Sequence, residues 1–322
     1  MNTIKIKGTG SALPEKIMTN KMLEELIDTS DEWISERTGI RQRHISAGET
    51  VVTLAAKACE RALENAGKTA DQVDLILLAT CSPESLIPCA ACQVQDIIGA
   101  DKAVAFDLNA ACAGFLFGLN TAYAYISSGC YKNALIVGSE VLSKIVDWSD
   151  RSTCILFGDG AGAVYVEAAD EGGLLGFVQH ANGKKGMTLT CGTYDLLNPY
   201  YQADQLSKYV WMDGREIFQF AVRQVPACVN EVLEKTQISV EDIELFVLHQ
   251  ANARIIESIA KRLGVSSDKF PINVDRTGNM SSATIPVLLD ELNRQGKLRE
   301  GMRLVLSGFG AGLTYGACVL KW

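Results

Sequence analysis

The chain has 322 residues, of which 48% are hydrophobic and 21% are charged, and its formal net charge is −8. This composition is typical of a folded globular protein and excludes a disordered or low-complexity chain. The negative charge argues against general binding to nucleic acid or anionic membranes, and no apolar run reaches the ~18 residues of a membrane helix. At this length we expect two core-sized units in contact.

The N-terminus, MNTIKIKG, alternates apolar and charged residues as a strand does and lacks the apolar segment of a signal peptide, so we expect a cytoplasmic protein. Most of the ten cysteines lie in apolar segments, which is typical of reduced thiols that pack in a core. Cys89 and Cys92 have CxxC spacing, but no second pair and no nearby histidine completes a zinc site. No metal is expected.

The chain contains an internal duplication. DQVDLILLAT at Asp71 and EDIELFVLHQ at Glu241 both join an acidic start to an apolar strand, and they lie 170 positions apart. The helical segments before them, which begin at Ala58 and Cys228, have the same offset of 170. LFGDGAGA and LSGFGAGL form a second similar pair. We predict two similar βα halves.

The strands ILLAT, ALIVGS, FVLHQ and LVLSG are continuous apolar runs between amphipathic helices, the pattern of sheets covered on both faces. We therefore predict a duplicated α/β fold with halves at residues 1–172 and 173–322. One large doubly wound domain is the alternative. The polar segment 182–214 is predicted to cross the surface or the entrance of the site.

Cys112 follows the predicted strand AVAFDL and a turn of small residues, at the start of an almost wholly apolar helix. Because a helix N-terminus favours a thiolate, we expect a pKa of about 7 instead of about 8.5. The small residues on either side leave room for an acyl group. From this segment alone, a buried cysteine that packs at a helix start is the alternative.

Of the three histidines, His44 and His180 are predicted to be surface or loop residues. His249 ends an apolar strand and precedes a helix, at the strand edge where open α/β sheets place their sites. Asn279, in DRTGNMSSA, lies 167 positions after Cys112 and is predicted to be its rough counterpart in the second half. The duplication therefore predicts that Cys112, His249 and Asn279 meet in one site.

Two glycine-rich segments invite different interpretations. FGDGAGA at Phe157 lies between the strand-like CILF and AVYVEA and opens no helix, so we predict a hairpin-type turn and no dinucleotide site. GFGAGLTYG at Gly308 has the backbone freedom to aim an N–H group at a reacting carbonyl, or is a plain tight turn.

Six motifs in this order resemble those of the β-ketoacyl-acyl-carrier-protein synthase III family over essentially the whole chain: TSDEWISERTGI, AACAGF, DRSTCILFGDGAGA, HQANARI, DRTGNMSSA and GFGAGLTYGA. The resemblance implies the thiolase fold, with duplicated halves in a five-layer α-β-α-β-α sandwich. It implies an acyltransferase without a cofactor, whose Cys112 takes an acyl group, usually acetyl, from coenzyme A. His249 and Asn279 would hold the thioester carbonyl of malonyl-acyl-carrier protein while carbon dioxide leaves and the carbanion attacks acyl-Cys112.

The resemblance also implies binding roles. Backbone N–H groups of Cys112 and Ala311 would form an oxyanion hole, although Ala311 departs from the glycine-rich family turn. Trp33 and Arg151 would sandwich the adenine of coenzyme A, with Arg37 near its phosphates. The tunnel lining would include Leu156, Phe157, Gly214, Phe218 and Asn252.

Two surfaces are predicted to meet partners. Arg254, Lys261 and Arg262, on the helix after His249, form a predicted docking patch for acidic acyl-carrier protein, with a merely solvated face as the alternative. Gln219 replaces a family lysine, which predicts a weaker patch. Ile87 matches a position that lines the acyl pocket of the neighbouring subunit, which predicts a homodimer and primers larger than acetyl.

The same residues bear on other functions. A biosynthetic thiolase needs a second cysteine where Leu306 and Ser307 stand, and elongating synthases have a second histidine where Asn279 stands. A relative that serves quinolone or polyketide pathways fits the same residues and stays open. A redox or metal protein that uses Cys89 and Cys92 is the hypothesis of a different class.

Overall fold

The computed structural model describes residues 3–192, 195–202 and 207–322. The strands are β1 Thr3–Ala12, β2 Ile17–Thr19, β3 Gln42–His44, β4 Leu75–Ala79, β5 Val104–Leu108, β6 Asn133–Glu140, β7 Gly160–Ala169, β8 Gly173–Ala181, β9 Leu189–Thr190, β10 Leu197–Asn198, β11 Tyr201–Gln202, β12 Trp211–Met212, β13 Leu245–Leu248, β14 Arg303–Gly310 and β15 Thr314–Lys321. The helices are α1 Asn20–Glu24, α2 Asp31–Thr38, α3 Val51–Ala66, α4 Ala90–Ile98, α5 Gly114–Ser127, α6 Gly214–Thr236, α7 Ala253–Leu263, α8 Val274–Thr277 and α9 Thr284–Arg294. Within these ranges, no helix has the length and apolar character needed to cross a membrane.

Two mixed sheets form the framework. The first has the strand order β1-β7-β6-β4-β5, and the second has the order β8-β15-β14-β13. In the first sheet β4 is parallel to β5 and β6, while β7 runs antiparallel to β6 and β1. The second repeats this arrangement, with β13 parallel to β14 and β15 antiparallel to β14 and β8. Because β4 is parallel to β6 and β13 is parallel to β14, the carboxyl ends of each pair lie at the same edge of their sheet. This is the edge at which open α/β sheets place their sites.

Five layers follow from the faces that each sheet buries. Leu75 and Leu77 of β4 pack with α5 and α9 in a central cluster that also contains Leu304 of β14. The alternate residues Ile76 and Leu78 pack outward against α3 and α4. On the other side, β13, β14 and β15 pack against α6 and α7. Because successive strand residues face opposite ways, the continuous apolar runs of the sequence serve both faces, as predicted.

The duplication holds in the structure at an offset of 170. Helices α5 and α9 begin 170 positions apart, at Gly114 and Thr284. Strands β6 and β14 have this offset at both ends, with first residues Asn133 and Arg303 and last residues Glu140 and Gly310. The first sheet's last strand, β7, ends at Ala169, and β8 of the second sheet begins at Gly173. This is where we propose that the two halves meet.

The same offset corrects one prediction. Residue 282, a serine, is the counterpart of Cys112, since the short helical turns Ala111–Ala113 and Ser281–Ala283 are equivalent. Asn279 instead matches Asn109. The rough pairing of Asn279 with Cys112 was wrong by three positions.

The hairpin predicted at FGDGAGA was also wrong. Its last glycines open β7, and the segment before it, up to Leu156, is a turn. A Cβ on Gly162 would lie 2.5 Å from the backbone nitrogen of Val287. Glycine is needed here because α9 packs directly on the strand.

The segment 182–214 contains a short helical turn, Gly183–Thr188, and the small strands β9 to β12. Part of the predicted excursion, residues 193–194 and 203–206, lies outside the described residues. Leu189 and Met212 of this segment line a cavity that also contains Cys112, which agrees with a position beside the site.

Candidate active site

Cys112 stands on a strained turn between β5 and α5. The residue before it, Ala111, has a left-handed φ of +45°, which costs an L-residue about 1–2 kcal/mol. The side chain of Asn109 accepts a hydrogen bond from the Ala111 N–H at 3.1 Å, and Thr314 donates to the carbonyl of Ala110 at 2.8 Å. These contacts hold the turn. They fix the Cys112 side chain at the start of the apolar helix, as the sequence predicted.

The end of β14 packs directly on this turn. A Cβ on Gly310 would lie only 2.5 Å from the backbone nitrogen of Cys112. The next residue, Ala311, keeps an ordinary backbone, because the only described non-glycine residues with positive φ are Ala111, Gln237 and Ser281. The backbone N–H groups of both Cys112 and Ala311 are thus carried by touching segments.

Burial decides the charge of the thiol. Cys112 is only 9% exposed, and this loss of hydration raises the pKa of its thiol to about 12, with a further increase from the carboxylate of Glu140. The hydroxyl of Ser281 opposes the shift and lowers the pKa. The expected pKa of about 7 is therefore not met. The sequence showed the helix N-terminus but not the desolvation that outweighs it.

His249 lies at the end of β13, 2% exposed, with its ring edge-on to Phe309 at 5.3 Å. Its Nδ1 lies 2.6 Å from the hydroxyl of Thr284, while its buried Nε2 has no hydrogen-bond partner among the residues that the structure describes. Burial lowers the pKa of His249 to about 3, so the ring is neutral at pH 7. An unpaired ring nitrogen that faces a cavity is available to a substrate.

Asn279 is held by backbone pairing with the segment that contains Phe157. Its N–H donates to the carbonyl of Leu156 at 2.9 Å, and its carbonyl accepts from Gly158 at 3.0 Å. The side-chain oxygen accepts from the N–H of Ser281 at 2.8 Å. This orientation leaves the amide NH₂ as the group free to donate.

Two cavities meet at Cys112. The first, of about 670 Å³, is lined by Cys112, His249 and Asn279, so the structure brings these three residues together. It is also lined by the predicted tunnel residues Leu156, Phe157, Gly214, Phe218 and Asn252, and by Trp33, Arg37, Gln219 and Arg254. The second cavity, of about 710 Å³, contains Cys112, Phe157 and Ala311 and continues to Leu142 and Val210. The thiol therefore faces a passage with two arms.

At the mouth of the first cavity, the Trp33 ring lies beneath two guanidinium groups. Arg37 lies 4.5 Å and Arg151 lies 5.1 Å from the ring centroid. Arg151 does not itself line the cavity, and its Nη1 donates to the carbonyl of Asp28 at 3.0 Å. Asn252, which caps the start of α7, donates to the carbonyl of Arg37 at 3.1 Å and so joins α7 to α2 at this mouth.

Comparisons with known proteins agree with this geometry. Residues 106–183 match the family model described as 3-oxoacyl-[acyl-carrier-protein (ACP)] synthase III, and residues 233–322 match the model of its C-terminal part. The chain is 51% identical over 323 residues to "Beta-ketoacyl-[acyl-carrier-protein] synthase III" of Clostridium acetobutylicum, covering 100% of this chain and 99% of that one. The chain belongs to the β-ketoacyl-[acyl-carrier-protein] synthase III family.

Solved structures support the same family. The 3-oxoacyl-[acyl-carrier-protein] synthase III of Aquifex aeolicus VF5 is 42% identical, with a TM-score of 0.93 over 99% of this chain and 100% of that one. The priming β-ketosynthase of the R1128 polyketide pathway is 35% identical, with a TM-score of 0.93 over 99% of this chain and 96% of that one. The chain thus has the thiolase fold and is a condensing acyltransferase that initiates fatty-acid synthesis.

Other predicted residues lie away from the cavities of this synthase III family member. His180 lies in β8 and is exposed, in agreement with a surface position, whereas His44 lies half-buried in β3. Ile87 is 89% exposed and lines neither cavity of its own chain, whereas its neighbour Leu86 lines the second. Lys261 and Arg262 are exposed on α7.

Sequence reasoning missed the residues that support the three predicted ones. Thr284 contacts His249, and Glu140 is a fully buried carboxylate that accepts hydrogen bonds from Thr80, Ser82 and Ser282. The duplication contains one sequence signal for Thr284. At the duplicated positions, Thr284 stands where the first half has Gly114, so the second half adds a polar side chain where the first has none.

Proposed function

We propose that the chain condenses an acyl-coenzyme A primer, acetyl-coenzyme A first among them, with malonyl-acyl-carrier protein. The products are β-ketoacyl-acyl-carrier protein, carbon dioxide and coenzyme A. The observation that carries this proposal is the single cavity that Cys112, His249 and Asn279 line together. No cofactor or metal enters the proposed chemistry, because the thioester is already activated and the carboxylate leaves as carbon dioxide.

In the first half-reaction, the Cys112 sulfur attacks the acyl thioester carbon, and the proton of its thiol leaves with coenzyme A. The oxyanion that forms would be held by the backbone N–H groups of Cys112 and Ala311. The close approach of Gly310 to the Cys112 nitrogen supports this assignment. Because burial keeps the thiol protonated, we expect deprotonation to accompany the attack rather than to precede it.

In the second half-reaction, malonyl-acyl-carrier protein enters the same cavity. Nε2 of His249 and the side-chain NH₂ of Asn279 would donate to its thioester carbonyl and stabilise the enolate that remains when carbon dioxide leaves. The enolate carbon attacks acyl-Cys112, and the released sulfur takes up a proton. Support comes from the unpartnered Nε2 and from the fixed side-chain oxygen of Asn279, which directs the NH₂ away from Ser281.

Two variants test this division of labour. Cys112→Ser should form no acyl-enzyme when acetyl-coenzyme A is added, as measured by intact mass. His249→Ala should still form the acyl-enzyme but lose decarboxylation of malonyl-acyl-carrier protein by about 100-fold or more. Equal loss of both half-reactions in His249→Ala would contradict the proposed roles.

Coenzyme A is proposed to bind at the mouth, with adenine between Trp33 and Arg151 and the phosphates near Arg37. The stacked arginines over the Trp33 ring support this role. Since Arg151 lies 5.1 Å from the ring centroid, it must move outward to admit a base between them. Trp33→Ala should raise the KM for acyl-coenzyme A by about tenfold, whereas Trp211→Ala, which alters an exposed tryptophan that lines neither cavity, should not.

The second cavity is proposed to take the acyl chain. Its volume of about 710 Å³ exceeds what an acetyl group fills, which supports primers longer than acetyl. Ile87 would close this cavity in the neighbouring subunit. A primer panel of acetyl-, isobutyryl- and hexanoyl-coenzyme A tests this, and Ile87→Phe should reduce hexanoyl transfer more than acetyl transfer. Strict acetyl preference in the unaltered enzyme would contradict the proposal of longer primers. The primers that the enzyme accepts also indicate which pathway it serves.

Arg254, Lys261 and Arg262 are proposed to dock the acidic carrier protein. Arg254 also lines the first cavity, so a carrier bound there would stand at the entrance. Reversing the charge of Arg254 and Lys261 together should raise the KM for malonyl-acyl-carrier protein and leave the KM for acyl-coenzyme A unchanged. Reversal of Lys297 and Arg299, an exposed pair outside both cavities, is the matched control. An unchanged carrier KM would overturn the docking patch.

We further propose a homodimer that forms along β5. This strand ends the first sheet, paired within the described residues only with β4, and Val104 on it is 47% exposed. Ile87 and Ile97 beside it are 89% and 52% exposed. Free strand edges with apolar surroundings pair readily with a second copy. Ten free cysteines agree with the reducing cytoplasm as the proposed compartment.

A further inference from the structure

The hydrogen bond between His249 and Thr284 raises a question of proton position. A neutral imidazole carries one N–H, and its two nitrogens exchange the roles of donor and acceptor between tautomers. The proposed function needs a hydrogen on Nε2, because a thioester carbonyl can only accept. Whichever group contacts Nδ1 therefore decides whether His249 is competent for the second half-reaction.

The Thr284 hydroxyl has two neighbours but only one proton. Its oxygen lies 2.6 Å from Nδ1 of His249 and 3.0 Å from the carbonyl oxygen of Ser281. If the proton pointed to Ser281, Nδ1 would have to donate and Nε2 would be bare. If it points to Nδ1, then Nε2 carries the hydrogen.

The structure accommodates the second arrangement. The Ser281 carbonyl already accepts a hydrogen bond from the backbone N–H of Thr284, so it does not depend on the hydroxyl. Nδ1 is buried and has the hydroxyl as its hydrogen-bond partner, at the shorter of the two distances. Because the Ser281 carbonyl keeps its bond from the backbone N–H, the hydroxyl can donate to Nδ1 without leaving the carbonyl unpaired.

The duplication shows that this contact is an addition in the second half. The counterparts of His249 and Thr284, 170 positions earlier, are Ala79 and Gly114. There the strand and helix close on each other, since a Cβ on Gly114 would lie 2.8 Å from the Cβ of Ala79. In the second half the same space holds a histidine and the hydroxyl that contacts it.

We propose that Thr284 is a positioning residue whose hydroxyl donates to Nδ1 of His249 and so fixes the tautomer with hydrogen on Nε2. This inference rests on the proposed function of His249. Thr284 touches no reacting atom in this scheme. It acts on the condensation half-reaction only, because the first half-reaction does not use the Nε2 hydrogen.

A spectroscopic measurement tests the tautomer directly. The untagged chain has three histidines, so His44→Gln and His180→Gln together leave His249 as the only one. ¹⁵N chemical shifts of its ring at pH 7 identify the nitrogen that carries hydrogen. We expect Nε2–H in this background and a mixture of tautomers when Thr284→Val is added. A bare Nε2 in the background protein would overturn the proposal whatever the kinetics show.

Kinetics supply the second test. Thr284→Val keeps the side-chain shape, and we expect it to lower the condensation rate at least about tenfold while acyl-enzyme formation stays within about twofold. Thr284→Ser should restore condensation to within about threefold. Thr236→Val removes a hydroxyl that bonds only backbone carbonyls and is the matched control.

These outcomes separate the two proposals. Normal condensation by Thr284→Val, equal loss of both half-reactions, or no rescue by Thr284→Ser would each overturn the role of Thr284. Normal condensation by His249→Ala would instead overturn the proposed function, and the tautomer of His249 would still be measured independently.

Discussion

Ala111 and Ser281 lie 170 positions apart and have the same left-handed backbone, with φ of +45° and +47°. In each copy an asparagine two residues earlier accepts a hydrogen bond from the strained residue's N–H, at 3.1 Å from Asn109 and 2.8 Å from Asn279. Such strain persists where the surroundings hold it firmly. The turn that carries Cys112 therefore exists twice, and its surroundings distinguish the nucleophile.

Ser282 allows this conclusion to be tested, because it occupies the place of Cys112 in the second copy. It is 1% exposed, lies within 2.9 Å of both the Ala79 carbonyl and Glu140, and lines neither cavity at Cys112. We expect Ser282→Cys to take up one acyl group per chain, at Cys112 alone, by intact mass and peptide mapping. Combined with Cys112→Ser it should take up none. Acylation at position 282 would show that the turn suffices.

Gly310 gives a second prediction, because its close approach to Cys112 leaves no room for a side chain. The Cβ of Gly310→Ala would lie 2.5 Å from the Cys112 nitrogen, so one backbone segment must shift. We expect a loss of stability of about 1–3 kcal/mol and slower acyl-enzyme formation. In Gly308→Ala, the new Cβ meets its nearest atom at 3.4 Å, an ordinary contact, which makes it the control. Equal acylation rates in the two variants would contradict this account.

The buried imidazole of His249 predicts a pH dependence of stability. Its pKa falls from 6.5 to about 3 on burial, so between these values the unfolded chain binds the proton that the folded chain does not. Stability is thus fully present above pH 6.5 and decreases as the pH falls, by up to about 1.4 kcal/mol per unit. Urea unfolding at pH 7.5, 6.5 and 5.5 measures this.

The control for this dependence is a protein without the buried ring. His249→Gln should lose the component of slope that belongs to His249, whereas His180→Gln, at a half-exposed histidine, should keep it. Parallel stability curves for His249→Gln and the unaltered chain would show that another group titrates in this range.

The sequence predicted the features that repetition and residue type express. The offset of 170 predicted the paired strands. His249 was proposed from its place at a strand end, Cys112 from its place at a helix start, and Asn279 from the duplication. The sequence could not predict contacts between distant segments. Thr284 contacts His249 at a separation of 35 positions, and Gly310 contacts Cys112 at a separation of 198. The local sequence around these residues therefore does not indicate either contact. The prediction of the Cys112 pKa was wrong for the same reason, because both halves together bury the thiol.

The effect of burial on the Cys112 thiol can be measured as the pH dependence of its alkylation. A helix N-terminus favours the thiolate by about 2 kcal/mol at most, whereas burial raises the pKa of the thiol to about 12. We therefore expect the rate of iodoacetamide reaction at Cys112 to rise about tenfold per pH unit from 7 to 9. Free cysteine, with a pKa of about 8.5, should level off over the same range. Cys112→Ser identifies the alkylated site by mass, and acyl-coenzyme A should protect it. A plateau below pH 8 would mean that the helix, and not burial, sets the reactivity of the nucleophile.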